Sequence, residues 1–153
     1  MTTPYSTVFD SFLSRIKDWR LDTLYQTSET DFETYLTVFL TSAVIMFNNC
    51  GQSLEKTDST KLFTETLTDE NINILGQLMT EVWLEKEVQD VRQMNLHVVD
   101  KDFKVHSEAQ NLREKNARWS EVRERNSQTL LEYGYNSTDW DSWIAGTFYV
   151  SGS

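Results

Sequence analysis

Cysteine, proline, histidine and glycine are scarce in this chain of 153 residues, which has one, one, two and five of them respectively. The lone Cys50 cannot close an internal disulfide, so a cysteine-stapled secreted fold is excluded. Few prolines and glycines suit long helices, because both residues disfavour a helix interior. No apolar run approaches the roughly 20 residues that cross a bilayer. Met1 to Tyr5 lacks the basic region and apolar core of a secretory leader. The expectation is a soluble protein of a reducing compartment, with no membrane role. On that expectation the acceptor pattern Asn136-Ser137-Thr138 carries no glycan.

Catalytic signatures are missing as well. There is no phosphate-cradling glycine loop, no G-x-S-x-G elbow and no Cys/His pairing at a matching spacing. Cys50 beside Gly51 reads as a small buried hydrophobe at a helix end. His97, Asp100, Asp102 and His106 fall within ten residues, but their spacing fits no compact zinc or carboxylate motif. The sequence therefore predicts no catalytic, cofactor-binding or metal-ligating residues and no enzyme activity.

Positive charge is also short. The formal net charge is −10, which argues against broad neutralisation of nucleic-acid phosphates. Residues 1–76 hold a balance of −6, residues 107–133 carry five acids and five bases, and residues 134–153 carry two acids alone.

What is present is helical periodicity. Leu67 to Leu96 organises the chain, with Thr68 as a suitable N-cap and Asp69 and Glu70 at the positive end of the helix dipole. Ile72, Leu75, Leu78, Met79 and Val82 recur at helical spacing with Trp83 beside them, and Val88 and Val91 extend a narrower stripe. Gly76 costs up to about 1 kcal/mol there unless a neighbouring helix needs close approach.

The other segments read as its partners. Residues 1–4 are expected to form a loose arm, followed by a helix over 6–19, capped by Ser6 or Thr7. Its apolar face holds Val8, Phe9, Phe12, Leu13 and Ile16. A link keeps Leu21, Leu24 and Tyr25 as core plugs. A second helix over 30–47 opens on the capping box Thr30-Asp31-Phe32-Glu33. Its apolar residues, Val38 and Ile45 included, imply cover on more than one side. Residues 51–67 are irregular, and Leu62 to Leu67 is too short an alternation to assign as a strand. The third helix spans 68–95. After it, a connector holds Val98, Phe103 and Val105 as buried candidates. The fourth helix spans 107–133, with Ser107-Glu108-Ala109-Gln110 as a capping box and Gly134 as a left-handed closing cap. Its thin apolar stripe of Ala109, Leu112, Trp119, Val122, Leu130 and Tyr133 suits a helix on the outside of a bundle or shared between subunits. The predicted fold is all-α, a four-helix bundle-like domain over 1–134 with one long helix, followed by an aromatic interaction tail over 135–153.

Two groups of residues are candidates for contacts. Tyr135, Trp140, Trp143, Ile144, Phe148 and Tyr149 crowd the tail and are of the types enriched at interface cores. They either fold back on their own bundle or dock on another subunit. Arg113, Arg118, Arg123 and Arg125 alternate with Glu114, Glu121 and Glu124, a mixed-charge face expected to meet a neighbouring protomer or partner. Of these, Arg113, Arg118, Glu121, Arg123, Glu124 and Arg125 are the expected oligomer interface.

Three stretches, YSTVFDSFLSRI, LTDENINILGQLMTEVWLEKEV and KDFKVHSEAQNLREK, taken in that order, resemble small head-to-tail connector (neck or adaptor) virion proteins of tailed bacteriophages. The resemblance covers residues 5–133 and is one of pattern and order, with no invariant motif. It implies a helical protomer that joins a homo-oligomeric ring beneath the portal protein, contacts the tail or a second neck protein, and needs no cofactor. DNA would pass through such a ring without sequence-specific binding, and an acidic wall would not grip it. The implied location is the virion, assembled in the host cytoplasm. Two alternatives belong to other classes: an acidic DNA mimic or inhibitor, and a cytoplasmic helical adaptor outside any virion.

Overall fold

In a computed structural model, residues 1–97 and 102–144 are described, leaving aside the side chains of 94–97 and 102–108. The described residues form six helices and one small hairpin: α1 (Tyr5–Leu13), α2 (Trp19–Thr27), α3 (Glu29–Met46), β1 (Lys56–Thr57), β2 (Leu62–Phe63), α4 (Asp69–His97), α5 (Asp102–Ser137) and α6 (Trp140–Ile144). The class is all-α, as expected.

Helix α4 is the hub, with α1, α3 and α5 packed around it. Its start is fixed by the Thr68 hydroxyl, which accepts from the Asn71 amide at 3.3 Å. Leu75, Leu78 and Met79 are almost fully buried, in one core with Phe12, Leu36, Phe39, Leu40 and Phe47. Val82 is only half-buried at its edge. Gly76 provides the close approach that its position demands. A Cβ there would lie 3.0 Å from the Ser11 Cβ and 3.1 Å from the Ser11 carbonyl carbon.

Several expected boundaries are corrected. The first helix starts at Tyr5 after Pro4 and stops at Leu13, not Trp19. A separate helix then starts at Trp19, because the Asp18 side chain accepts from the Arg20 amide at 3.0 Å. Within it Leu21 is buried and Leu24 half-buried. Tyr25 is not a core plug; it is exposed and meets Phe32 edge-on at 5.2 Å. Helix α3 is capped by Ser28, whose hydroxyl accepts from the Asp31 amide at 3.3 Å, so the Thr30 box is not its start. Ser28 also ends α2, and one residue serves two helix termini. Val38 and Ile45 lie on the outer side of α3 and are exposed, so among the described residues that side of α3 has no cover.

Residues 1–4 are not a loose arm either. The Phe63 amide donates to the Thr3 carbonyl at 2.9 Å, and the Thr3 amide donates to the Glu65 carbonyl at 3.2 Å. The buried Thr3 hydroxyl accepts from the Leu67 amide at 2.8 Å. This pairing extends the antiparallel β1–β2 hairpin, in which Lys56 faces Phe63 and Thr57 faces Leu62.

Helix α5 begins at Asp102, so Ser107 lies inside it rather than at its cap. It also runs through Gly134 to Ser137. Gly134 is a packing glycine: a Cβ there would come within 3.0 Å of the Asn49 Nδ2, which itself donates to the Leu130 carbonyl. At about 1.5 Å per residue, α5 is roughly 54 Å long. Its thin apolar stripe, including Leu112, Trp119, Val122, Leu130 and Tyr133, is half-buried along its length, as expected for an outer helix. The connector residue Val98 and the side chains of Phe103 and Val105 lie outside what is described.

Candidate functional site

The aromatic end of the chain is built by the C-terminus of α5 and the five-residue α6. The Thr138 hydroxyl donates to the Gly134 carbonyl at 2.7 Å, which closes α5 and turns the chain. Asp139 then caps α6, accepting from the Ser142 amide at 3.2 Å and the Ser142 hydroxyl at 2.5 Å. Those two hydrogen bonds hold its carboxyl below the usual carboxylate range. Trp140 is fixed from two sides. Its indole Nε1 donates to the Tyr135 carbonyl at 2.9 Å, and its ring lies 4.7 Å from the Tyr135 ring. Trp143 meets Trp140 edge-on at 5.9 Å. The three rings form one preassembled knob, yet Tyr135, Trp143 and Ile144 are 64%, 58% and 77% exposed. Phe148 and Tyr149 lie outside the described residues.

The arginines of α5 divide into distinct environments. Arg125 pairs with Glu121 at 2.7 Å on the helix surface, and Arg123 lies 5.8 Å from the Trp119 ring. Arg113 and Glu124 are exposed and form no ion pair among the described residues. Arg118 and Arg125 line a polar cavity of about 330 Å³ with Arg15, Gln77, Glu121 and Asn126. Burial pushes the Arg15 guanidinium down from its ordinary value, and Asn73 is its partner across the α1–α4 contact. Of the expected interface residues, Arg118, Glu121 and Arg125 thus share one cavity, while Arg123 lies over Trp119.

A second group was not foreseen from sequence. Glu87 of α4 is buried and bridges two cations, Arg20 of α2 and Lys115 of α5, the latter at 3.0 Å. Arg20 also pairs with Asp18 at 3.2 Å. These hydrogen bonds, Asp18 foremost, hold the Arg20 guanidinium above its ordinary value against the opposing effect of burial. The network underlies a groove of about 490 Å³ between the start of α2, the middle of α4 and α5. Trp19, highly exposed, walls the groove, and Trp83, Leu84 and Val91 line it. Asp18, Arg20, Glu87 and Lys115 are distant in sequence and show no common motif. A charged residue at a buried position of the α4 stripe, Glu87 beside Val88, is the only local signal of the network.

A third cavity, about 390 Å³, lies among α1, α2 and α3, with Phe9, Leu13 and Phe32 inside and Asp10, Asp22, Glu29 and Glu33 around it. Among the described residues, no group of three or more His, Cys, Asp or Glu is placed to hold a metal ion. Asp100 and the side chains of His97, Asp102 and His106 lie outside what is described. None of the described helices is long and apolar enough to cross a membrane. No protein-family model, curated protein or solved structure matches this chain.

Proposed function

We propose that this chain is a non-catalytic assembly subunit, the head-to-tail connector of a tailed bacteriophage virion. In this reading it forms an oligomeric ring between the portal protein and the tail or a second neck protein. One observation carries the assembly part: an aromatic knob, its rings packed on one another yet exposed, at the end of a 36-residue helix. Exposed aromatic patches on an otherwise polar protein mark interaction surfaces. The outward Val38 and Ile45 on α3 add a second uncovered apolar stripe. The resemblance of residues 5–133 to connector proteins supplies the virion context. The long helices then act as a bundle-like body over 1–134, and 135–153 as the interaction tail. The net charge of −10 supports passage of DNA without capture. The test is the mass and shape of the purified chain, by light scattering and negative-stain electron microscopy. Closed rings are expected; a monomer or dimer across a wide concentration range overturns the reading and favours an acidic mimic or a simple adaptor.

A further inference from the structure

We infer that the groove beside Trp19 receives the aromatic knob of a second copy of this chain. The inference rests on the assembly reading and names the surface on which that assembly turns.

Charge selects the groove. Its three acids are already engaged inside the protomer: Asp18 with Arg20, Glu87 with Arg20 and Lys115, and Asp90 with Lys86 at 3.3 Å. Lys17 and Arg118, also on its lining, have no carboxylate partner among the described residues. A strongly acidic chain thus presents two unmatched cations beside an apolar floor of Trp83, Leu84 and Val91. The knob is the complementary object. It offers Trp140 and Trp143 with Asp141, whose carboxylate has no partner among the described residues, while Asp139 is occupied as a cap. The cavity among α1, α2 and α3 does not fit this occupant. Five carboxylates line it, Asp10, Asp18, Asp22, Glu29 and Glu33, against the single cation Lys17 that it shares with the groove, so its excess of negative charge would repel Asp141.

Geometry makes the docking intermolecular. Arg118 and Tyr135 sit on the same uninterrupted helix, so about 26 Å of rigid α5 separates the groove from its own knob. The knob cannot reach that groove without breaking α5; the groove of a neighbour has no such restriction. Because knob and groove are different surfaces, the contact is heterologous. It repeats from subunit to subunit and closes into a ring when the rotation permits.

Trans-complementation tests this. One full-length variant carries Lys17→Glu and Arg118→Glu, which make the groove repel Asp141. A second carries Asp141→Arg, which makes the knob repel an unaltered groove. Each alone, with helical circular dichroism retained, should lose assembly by at least about tenfold in association constant, the equivalent of 1.4 kcal/mol per contact. In an equimolar mixture every contact can be complementary, altered groove with altered knob and native groove with native knob, so sedimentation should show assembly restored. If the wild type assembles and either variant alone assembles equally well, the groove assignment is wrong and the ring reading stands. If both variants fail alone and the mixture stays dissociated, the two surfaces are not partners. If the wild type itself never assembles, the reading beneath the inference falls with it.

Discussion

Gly76 of α4 and Ser11 of α1 meet at a separation that leaves no room for a methyl group, with Ser11 backbone and Cβ within 3.1 Å of where a Cβ would stand. Gly76→Ala would gain up to about 1 kcal/mol of helix propensity and force an overpacked contact costing about 1–3 kcal/mol. Because part of the obstacle is backbone, the net result should be destabilisation by about 1–2 kcal/mol in urea unfolding. A gain in stability would mean that the two helices separate freely.

Gly134→Ala should behave in the opposite way. The obstacle there is the end of a flexible Asn49 side chain, and the residue lies inside a continuous helix. Stability should be unchanged or rise by up to about 1 kcal/mol. Clear destabilisation would show that Asn49, held by its hydrogen bond to the Leu130 carbonyl, cannot give way.

Glu87→Gln keeps the shape of the buried bridge and removes its charge. Hydrogen bonds to charged groups contribute about 1.5–3 kcal/mol, and Arg20 is half exposed and able to rehydrate, so a loss of about 1–2 kcal/mol is expected. The loss should shrink in an Arg20→Gln, Lys115→Gln background, measured as a double-mutant cycle. An unchanged loss in that background would show that Glu87 acts through packing alone.

Tyr5 donates to Asp58 at 2.6 Å, and burial first, then Asp58, raises its phenol well above the ordinary value. The folded state therefore favours the neutral phenol. Its contribution is fully present below the unfolded pKa of about 10 and is lost as pH rises beyond it. Thermal melts from pH 8 to 11 should show wild type losing stability more steeply above pH 10 than Tyr5→Phe. Parallel curves would show that Tyr5 ionises as it does in the unfolded chain.

The paired change Trp140→Ala, Trp143→Ala removes knob residues that lie away from the core, so the melting temperature of the protomer should fall by no more than about 2 °C. Assembly should be largely lost in the same sample. A large drop in melting temperature would place the tail against its own helices instead.

The parts of the fold that were legible in sequence are those with a local cause. Helix α4 could be read because Leu75, Leu78 and Met79 recur at the helical period behind a suitable cap at Thr68. The separate α2 was harder, since its start rests on a single aspartate side chain, Asp18, and only Leu21 and Leu24 point to an apolar face. Ser28 and Thr30 offer rival caps two residues apart, and the end of α2 favours the first. Gly134 carries the same local signal whether it ends a helix or clears space for Asn49; the distant partner decides. The aromatic knob was visible as composition. The groove was not, because Trp19, Trp83 and Arg118 come together only through tertiary packing.

The pairing of Thr3 with Phe63 and Glu65 has a consequence for how the chain is made. During synthesis the first helix emerges early, but its anchoring strand is delivered some sixty residues later, and Tyr133, which accepts from the Gly51 amide at 3.0 Å, later still. Such contacts carry a loop-closure cost before they stabilise anything, which slows folding. Nascent α1 and α3 could bring Phe12 and Phe39 together, but these rings and Phe47 would lack the cover that Leu75, Leu78 and Met79 give once α4 arrives. The ribosome-bound intermediate is thus the state in which this acidic chain most needs a chaperone.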